Sequence, residues 1–425
     1  MELFKSPRLV KRYWQKLGPG LVTGAADDDP SGIATYSQTG ALYGLQLIWL
    51  SFYTLPLIIV IQEMCARIGM VSGRGLAENI RREYPRPVLY AVVALLIGAN
   101  TFNIGADLGA MAASVQVLAP GMSFALLVLV FALFSTALQI FTPYRLYARY
   151  LKYLALVLLS YVATGLIVGL DWGAVLAHTV IPSFTWSKES VFIVCAVLGT
   201  TISPYLFFWQ ASQEVEEEIK GGHVTLRSRE GATDADIRDM RIDVWSGMFI
   251  SNLVMFFIIA VCASALFANG IEGIDTAAAA AAALRPLAGE WASALFALGI
   301  IGTGLLSIPI FAGANGYALA ETFHWHEGLY KNFRSAFGFY VTIAVSMVVA
   351  LGINFIGLDP IKALIYAAVA NGIVAPVILF FIVRLSGDSA IMGHRVNGRA
   401  VGISGWFTVA VTALAGTATF ISFLI

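Results

Sequence analysis

Apolar residues run through this chain in blocks of about 20, separated by short polar stretches, almost to its last residue. A block of that length matches one α-helix across a bilayer, so the pattern predicts eleven spans. They fall at 18–36, 45–66, 88–118, 122–141, 151–170, 190–211, 244–267, 290–320, 336–356, 361–383 and 401–424. Two of these blocks read badly as continuous helices. Span 1 carries Asp27, Asp28 and Asp29 in a row, followed by Pro30 and Gly32. Span 6 carries Gly199, Thr200, Thr201, Ser203 and Pro204 at its middle. A helix broken at membrane depth leaves backbone groups unpaired, which is tolerated only where they line a cavity or a ligand. Spans 1 and 6 are also the first members of two successive five-span blocks. Interrupted spans at matching positions of two halves point to a carrier's binding site.

The one long polar stretch, 213–243, separates spans 1–5 from spans 6–11. Nothing is large enough to be a soluble domain, so the chain reads as one polytopic domain. It divides into a basic tail at 1–17, a first repeat at 18–170, a second repeat at 190–384 and an eleventh span at 401–424. The alanine run Ala277–Ala283 in the 7–8 loop reads as a short helix.

Composition fits this reading: 58% of the 425 residues are hydrophobic and 12% charged, against about 25% charged in soluble domains. Zero net charge leaves no nucleic-acid footprint. Cys65, Cys195 and Cys262 sit in apolar runs with neither metal-ligand nor disulfide spacing. The basic N-terminus is not followed by a signal-peptide core and cleavage site, so no cleaved leader is expected. Lysine and arginine alternate across the predicted membrane: of 26, all but Lys188, Arg285 and Lys362 fall on one side. Cytoplasmic loops are the basic ones. The expected placement is therefore a multi-pass protein of the cell membrane, N-terminus cytoplasmic and C-terminus outside.

A carboxylate at membrane depth costs about 2.5–3.5 kcal/mol or more, so it normally faces a cavity and a partner. No lysine or arginine lies in the interior of a predicted span to pair with Asp29; Lys152 and Lys362 stand at the span ends. A bound cation is the partner that remains. Successive helical residues point about 100° apart, so Asp27, Asp28 and Asp29 cannot all serve one site, and at least one is expected in an aqueous vestibule. Asn252 in span 7 and Asn371 in span 10 read first as inter-helix hydrogen-bonding groups and second as pathway residues. The acidic run Glu214, Glu216, Glu217 and Glu218 reads as a solvated face.

These residues resemble the Nramp family of divalent metal transporters, and within it the Nramp-related branch associated with magnesium. The likeness runs from about residue 17 to the end of span 10. It rests on Gly18-Pro19-Gly20 followed by Asp29-Pro30; on Gln62, Ala66-Arg67-Ile68-Gly69 and Ser72-Gly73-Arg74; on GADLGA around Asp107; and more loosely on AGANGYALAE at 312–321. The resemblance implies an all-α, LeuT-type fold: an inverted repeat of spans 1–5 and 6–10, an added eleventh helix, and spans 1 and 6 unwound at the ion. It implies Asp29 as the principal metal ligand, with the Ala26, Gly32 and Thr200 carbonyls and the Ser203 hydroxyl around it. Asp27, Asp28, Asp107, Asn252 and Asn371 are then candidates for the pathway or for coupling.

Departures from the family pattern set the selectivity expected. The span 1 motif Asp-Pro-Gly-Asn reads Asp29-Pro30-Ser31-Gly32 here, and Ser203 stands where span 6 usually has methionine. Oxygen ligands and water suit magnesium and manganese; a thioether suits softer metals. Magnesium keeps several waters, so a roomy, carboxylate-and-carbonyl site suits it. Gly32 is expected in a left-handed conformation that asparagine would adopt only with strain. The acidic partner three residues after Asp107 is Ala110, and the two span 6 histidines are Tyr205 and Gln210. No histidine lies in a span core, which argues against obligatory proton coupling. The expected function is a secondary transporter importing Mg²⁺, with Mn²⁺ as a second substrate. The cation is cargo rather than cofactor, and no obligatory protein partner is implied. The alternatives are a proton-coupled Mn²⁺/Fe²⁺ importer of the Nramp type and a carrier of amino acids or other organic substrates. The missing methionine and histidines oppose the first, and the aspartates oppose the second by repelling a substrate carboxylate. No triad, histidine cluster or phosphate loop in the membrane suggests an enzyme.

Overall fold

The computed structural model describes residues 17–142, 159–271, 273–274, 277–285 and 289–424. Over these residues the regular structure is helical. Eight stretches are long and apolar enough to cross a membrane: Trp49–Ser72, Arg86–Leu118, Phe124–Phe141, Lys188–Lys220, Asp234–Asn269, Gly289–Phe323, Pro360–Ser386 and Arg399–Ser422. They occupy spans 2, 3, 4, 6, 7, 8, 10 and 11. Span 9 is the shorter helix Phe337–Ile353. Span 1 is built of two short helices, Pro19–Asp27 and Pro30–Tyr43. Span 5 is seen from Leu159 to Ile167; its first part, with Lys152, and the preceding connection, with Arg145 and Arg149, lie outside the described residues, as does the basic tail to Lys16. The alanine run is helical over Ala277–Ala282.

Both expected interruptions are present. Span 1 breaks at Asp28 and Asp29, span 6 at Ile202 and Ser203 between Lys188–Thr201 and Pro204–Lys220. In each case proline occupies the first position of the second half, where its missing N–H is no loss and its fixed φ suits a helix start.

The polar stretch 213–243 is far less of a loop than its composition suggests. Span 6 continues helical to Lys220, and span 7 begins at Asp234, where Thr233 and Asp236 form a reciprocal capping box. Glu214 and Glu216 are consequently buried, which corrects the reading of a wholly solvated acidic face. Glu214 accepts from the Gln210 side chain at 2.8 Å; Glu216 accepts from the Tyr317 hydroxyl and from the Leu329 amide. Arg67 also differs from expectation. It lies inside the span 2 helix and is buried, beside Glu63 at 3.6 Å and bonded to Asn397. Glu63 in turn meets Arg241 at 2.8 Å, so the buried Arg67 has an acidic neighbour of its own and pairs with none of the aspartates.

The first half of span 1 lies against span 7 at backbone contact. A Cβ on Gly24 would come 2.3 Å from the Gly247 carbonyl, so only glycine permits the approach. Asp243 of span 7 fixes its start, accepting from the amides of Gly18, Gly20 and Leu21 at 2.8, 2.6 and 3.0 Å. These are orphan donors of a helix N-terminus, capped here by a residue more than 220 positions away.

Candidate metal site

Asp29 is the N-cap of the second half of span 1, with extended backbone (φ −67°, ψ 172°). Its carboxylate accepts from the Gly32 amide at 2.7 Å, as the Asp-Pro-x-Gly order dictates for an N-cap three residues upstream. The Ser31 hydroxyl lies 2.8 and 2.9 Å from its two oxygens, and the Thr200 hydroxyl of span 6 lies 3.5 Å from Oδ1. The two breaks therefore meet at this carboxylate. Asp29 is 2% exposed, so the site is shut off from solvent. Among the described residues no lysine, arginine or histidine pairs with Asp27, Asp28, Asp29 or Asp107. Nor do any three His, Cys, Asp or Glu side chains among them form a metal-holding group.

The remaining expected residues divide into those that gather at Asp29 and those that do not. Gly32 contributes its amide, and its φ is not positive. Space, not backbone strain, excludes a side chain: a Cβ would sit 3.1 Å from the Thr200 hydroxyl oxygen and 3.3 Å from Asp29 Oδ1. The Ala26 carbonyl accepts from the Tyr205 hydroxyl at 2.7 Å. The Thr200 carbonyl accepts from the Ser203 hydroxyl at 2.9 Å, and that hydroxyl also reaches the Gly199 carbonyl at 2.6 Å. Each carbonyl keeps a second lone pair, but both are already held by hydroxyls.

Asp27 and Asp28 turn toward span 7, where Ser251 lies 2.6 Å from Asp27 Oδ2 and 3.4 Å from Asp28 Oδ1. Both are at most 1% exposed, so neither occupies the aqueous vestibule expected for one of them. Asp107 accepts from Ser307 of span 8 at 2.9 Å. Asn252 ties span 7 to span 2, accepting from the Thr54 hydroxyl at 3.1 Å, which is the inter-helix role read for it. Asn371 is buried in span 10 with neither side-chain polar atom hydrogen-bonded.

Several contributors carry no family signature. Ser31 does not match the family motif, although a hydroxyl two residues after a helix-capping aspartate is placed to reach it. Tyr205 stands where the family has a histidine; it is buried, and its ring packs against Phe311 at 3.8 Å with the planes tilted by 33°. Gln210 anchors a polar knot beneath the site: its carbonyl oxygen accepts from Thr23 at 2.7 Å and Gln62 at 3.2 Å, and its amide donates to Glu214. No local pattern marks these pairings, which cross up to 187 residues.

Comparison with known proteins bears on this geometry. Residues 20–422 match the family described as natural resistance-associated macrophage protein-like, Nramp. Two proteins named divalent metal cation transporter MntH, from Klebsiella pneumoniae strain 342 and from K. pneumoniae subsp. pneumoniae, are 31% identical over 405 residues. The alignments cover 93% of this chain and 91% of theirs. A manganese transporter of Eremococcus coleocola, crystallised with an aromatic bis-isothiourea compound, superposes with TM-score 0.73 at 18% identity, covering 97% of this chain and 87% of its own. Mhp1, a nucleobase-cation-symport-1 family transporter in a closed conformation, superposes with TM-score 0.57 at 15% identity, covering 95% and 91%. At such identities the superpositions speak for the fold, the LeuT-type inverted repeat with broken first and sixth spans.

Proposed function

The chain belongs to the Nramp family, and from that premise we propose that it imports a divalent cation through the junction of spans 1 and 6, magnesium first and manganese second, without obligatory proton movement. The observation that carries this reading is Asp29: a buried carboxylate at a helix break, without a cationic partner and ringed by hydroxyls. The named function of the MntH relatives, divalent metal cation transport, supports the coarser part. The finer part rests on ligand chemistry. Ser31, Thr200 and Ser203 offer oxygen alone, and zinc or cadmium gain most from nitrogen or sulfur. One carboxylate and neutral oxygens leave water in the shell, which magnesium tolerates better than its rivals.

The coupling proposal rests on the groups beneath the site. Where the family has titratable histidines, Tyr205 donates to a backbone carbonyl and Gln210 bonds Thr23, Gln62 and the carboxyl of Glu214. Neither offers a site that changes charge near neutral pH. Asp27 and Asp28, held by Ser251, lie beside the same break, and the unpaired amide of Asn371 suits a pathway group that finds its partner only with cargo present. The basic loops support a cytoplasmic N-terminus.

Proteoliposomes with a magnesium indicator and a pH indicator inside test both parts together. Magnesium entry with a flat internal pH is expected, slowed by external manganese. Acidification in fixed proportion to metal entry would replace this reading with the proton-coupled one, and cadmium entry with no magnesium entry would replace it with transition-metal import.

A further inference from the structure

Between spans 3, 8 and 9, at the end of the membrane that carries the basic loops, lies a cavity of about 720 Å³. Its wall at membrane depth is apolar, from Ile97 of span 3, Leu319 of span 8, and Val341 and Val345 of span 9. Val345 is 55% exposed, so this wall opens to the bilayer rather than to the protein interior. Counted from Gly338 to Ser346 on span 9 it runs about 12 Å along the helix, at 1.5 Å per residue. The mouth is of opposite character: His324, His326 and Arg334 line it, all exposed. Arg334 makes no ion pair among the described residues. The connecting segment's single acidic residue, Glu327, lines the neighbouring polar cavity instead.

The mouth is shaped by two backbone features. His324 is the only non-glycine residue with positive φ (57°) among those described. A β-carbon there is strained by about 1–2 kcal/mol, so the turn has to be held by its surroundings. It reverses the chain at the end of span 8, with the Trp325 amide bonded back to the Ala320 carbonyl. Trp325 then stacks on Phe323 at 5.3 Å and lies over Gly338, where a Cβ would meet the indole at 2.5 Å. An indole at the rim of an apolar slot with the guanidinium of Arg334 beside it is the arrangement of a membrane interface.

We propose that this groove holds one anionic phospholipid, an acyl chain along Val341 and Val345 and the headgroup phosphate at Arg334 and the two histidines. A soluble ligand would leave the apolar wall unused, and a neutral lipid would leave the cationic rim unpaired. The occupant commits to the leaflet on the basic-loop side, where anionic lipids attract such clusters.

Native mass spectrometry of the detergent-purified protein with added dioleoylphosphatidylglycerol or dioleoylphosphatidylcholine reads this directly. Wild type is expected to retain a single phosphatidylglycerol adduct and little phosphatidylcholine. Arg334→Glu, at an exposed site, should lower the phosphatidylglycerol adduct about five-fold or more. Val345→Trp, which fills the groove from its lipid side, should abolish it. Equal retention of the two lipids overturns the proposal, because ordinary annular lipid explains it. So does an adduct that survives either variant unchanged, since headgroup and chain must both be held.

Discussion

At the residue scale the site is defined by what surrounds one carboxylate. Removing Asp29 loses an N-cap, about 1 kcal/mol, but also removes a buried charge that costs about 2.5–3.5 kcal/mol at membrane depth. Asp29→Ala should therefore fold and elute as wild type while losing magnesium uptake; uptake at the wild-type rate, at limiting and saturating ion alike, would refute the assignment. Ser31 fixes the carboxylate with a hydroxyl 2.8–2.9 Å from both oxygens. A hydrogen bond to a charged group is worth about 1.5–3 kcal/mol, so Ser31→Ala should raise KM for magnesium about ten-fold or more with little change in kcat. An unaltered KM would remove Ser31 from the site. Ser203→Met probes selectivity more cleanly than any change at Gly32, where a side chain collides with Thr200. It frees the Gly199 and Thr200 carbonyls and adds a thioether, so cadmium uptake should rise and magnesium uptake fall. Cadmium flux unchanged from wild type would show that residue 203 does not face the ion.

At the element scale, transport requires that the halves of spans 1 and 6 move against their neighbours, as broken helices allow. The first half of span 1 is held at three places: its capped start at Asp243, its glycine contact with Gly247, and Thr23 on Gln210. Asp243 is the most separable of these. Asp243→Ala leaves the Gly18, Gly20 and Leu21 amides unpaired, at about 1–3 kcal/mol for each that stays buried. The helix should loosen toward the basic-loop side. Thr23→Cys, buried in the parent, should then react several-fold faster with a membrane-impermeant thiol reagent when combined with Asp243→Ala than alone. Equal labelling rates would mean that the cap does not restrain this half.

At the scale of the whole molecule, the spans and their breaks were legible because each is a local pattern: an apolar block of membrane length, or Asp-Pro and Ser-Pro within one. Positions of helix ends were less so. Span 6 runs past the apolar window to Lys220, because Tyr317 and the Leu329 amide satisfy Glu216 there, and nothing near Glu216 in sequence reveals those partners. Asp29 stood out for the same local reason as the break it caps, whereas the roles of Tyr205, Gln210, Ser251 and Asp243 follow from pairings that only the fold creates. The account as a whole depends on one claim, that a divalent cation sits at the meeting of the two breaks and is held by oxygen alone. Crystals of the wild type soaked with manganese, the proposed second cargo and an anomalous scatterer, test it by position. One anomalous peak is expected about 2.0–2.3 Å from an Asp29 carboxylate oxygen, with hydroxyl, carbonyl or water oxygen completing the shell. A peak bound elsewhere, with the Asp29 carboxylate still held only by Ser31 and Gly32, would contradict it.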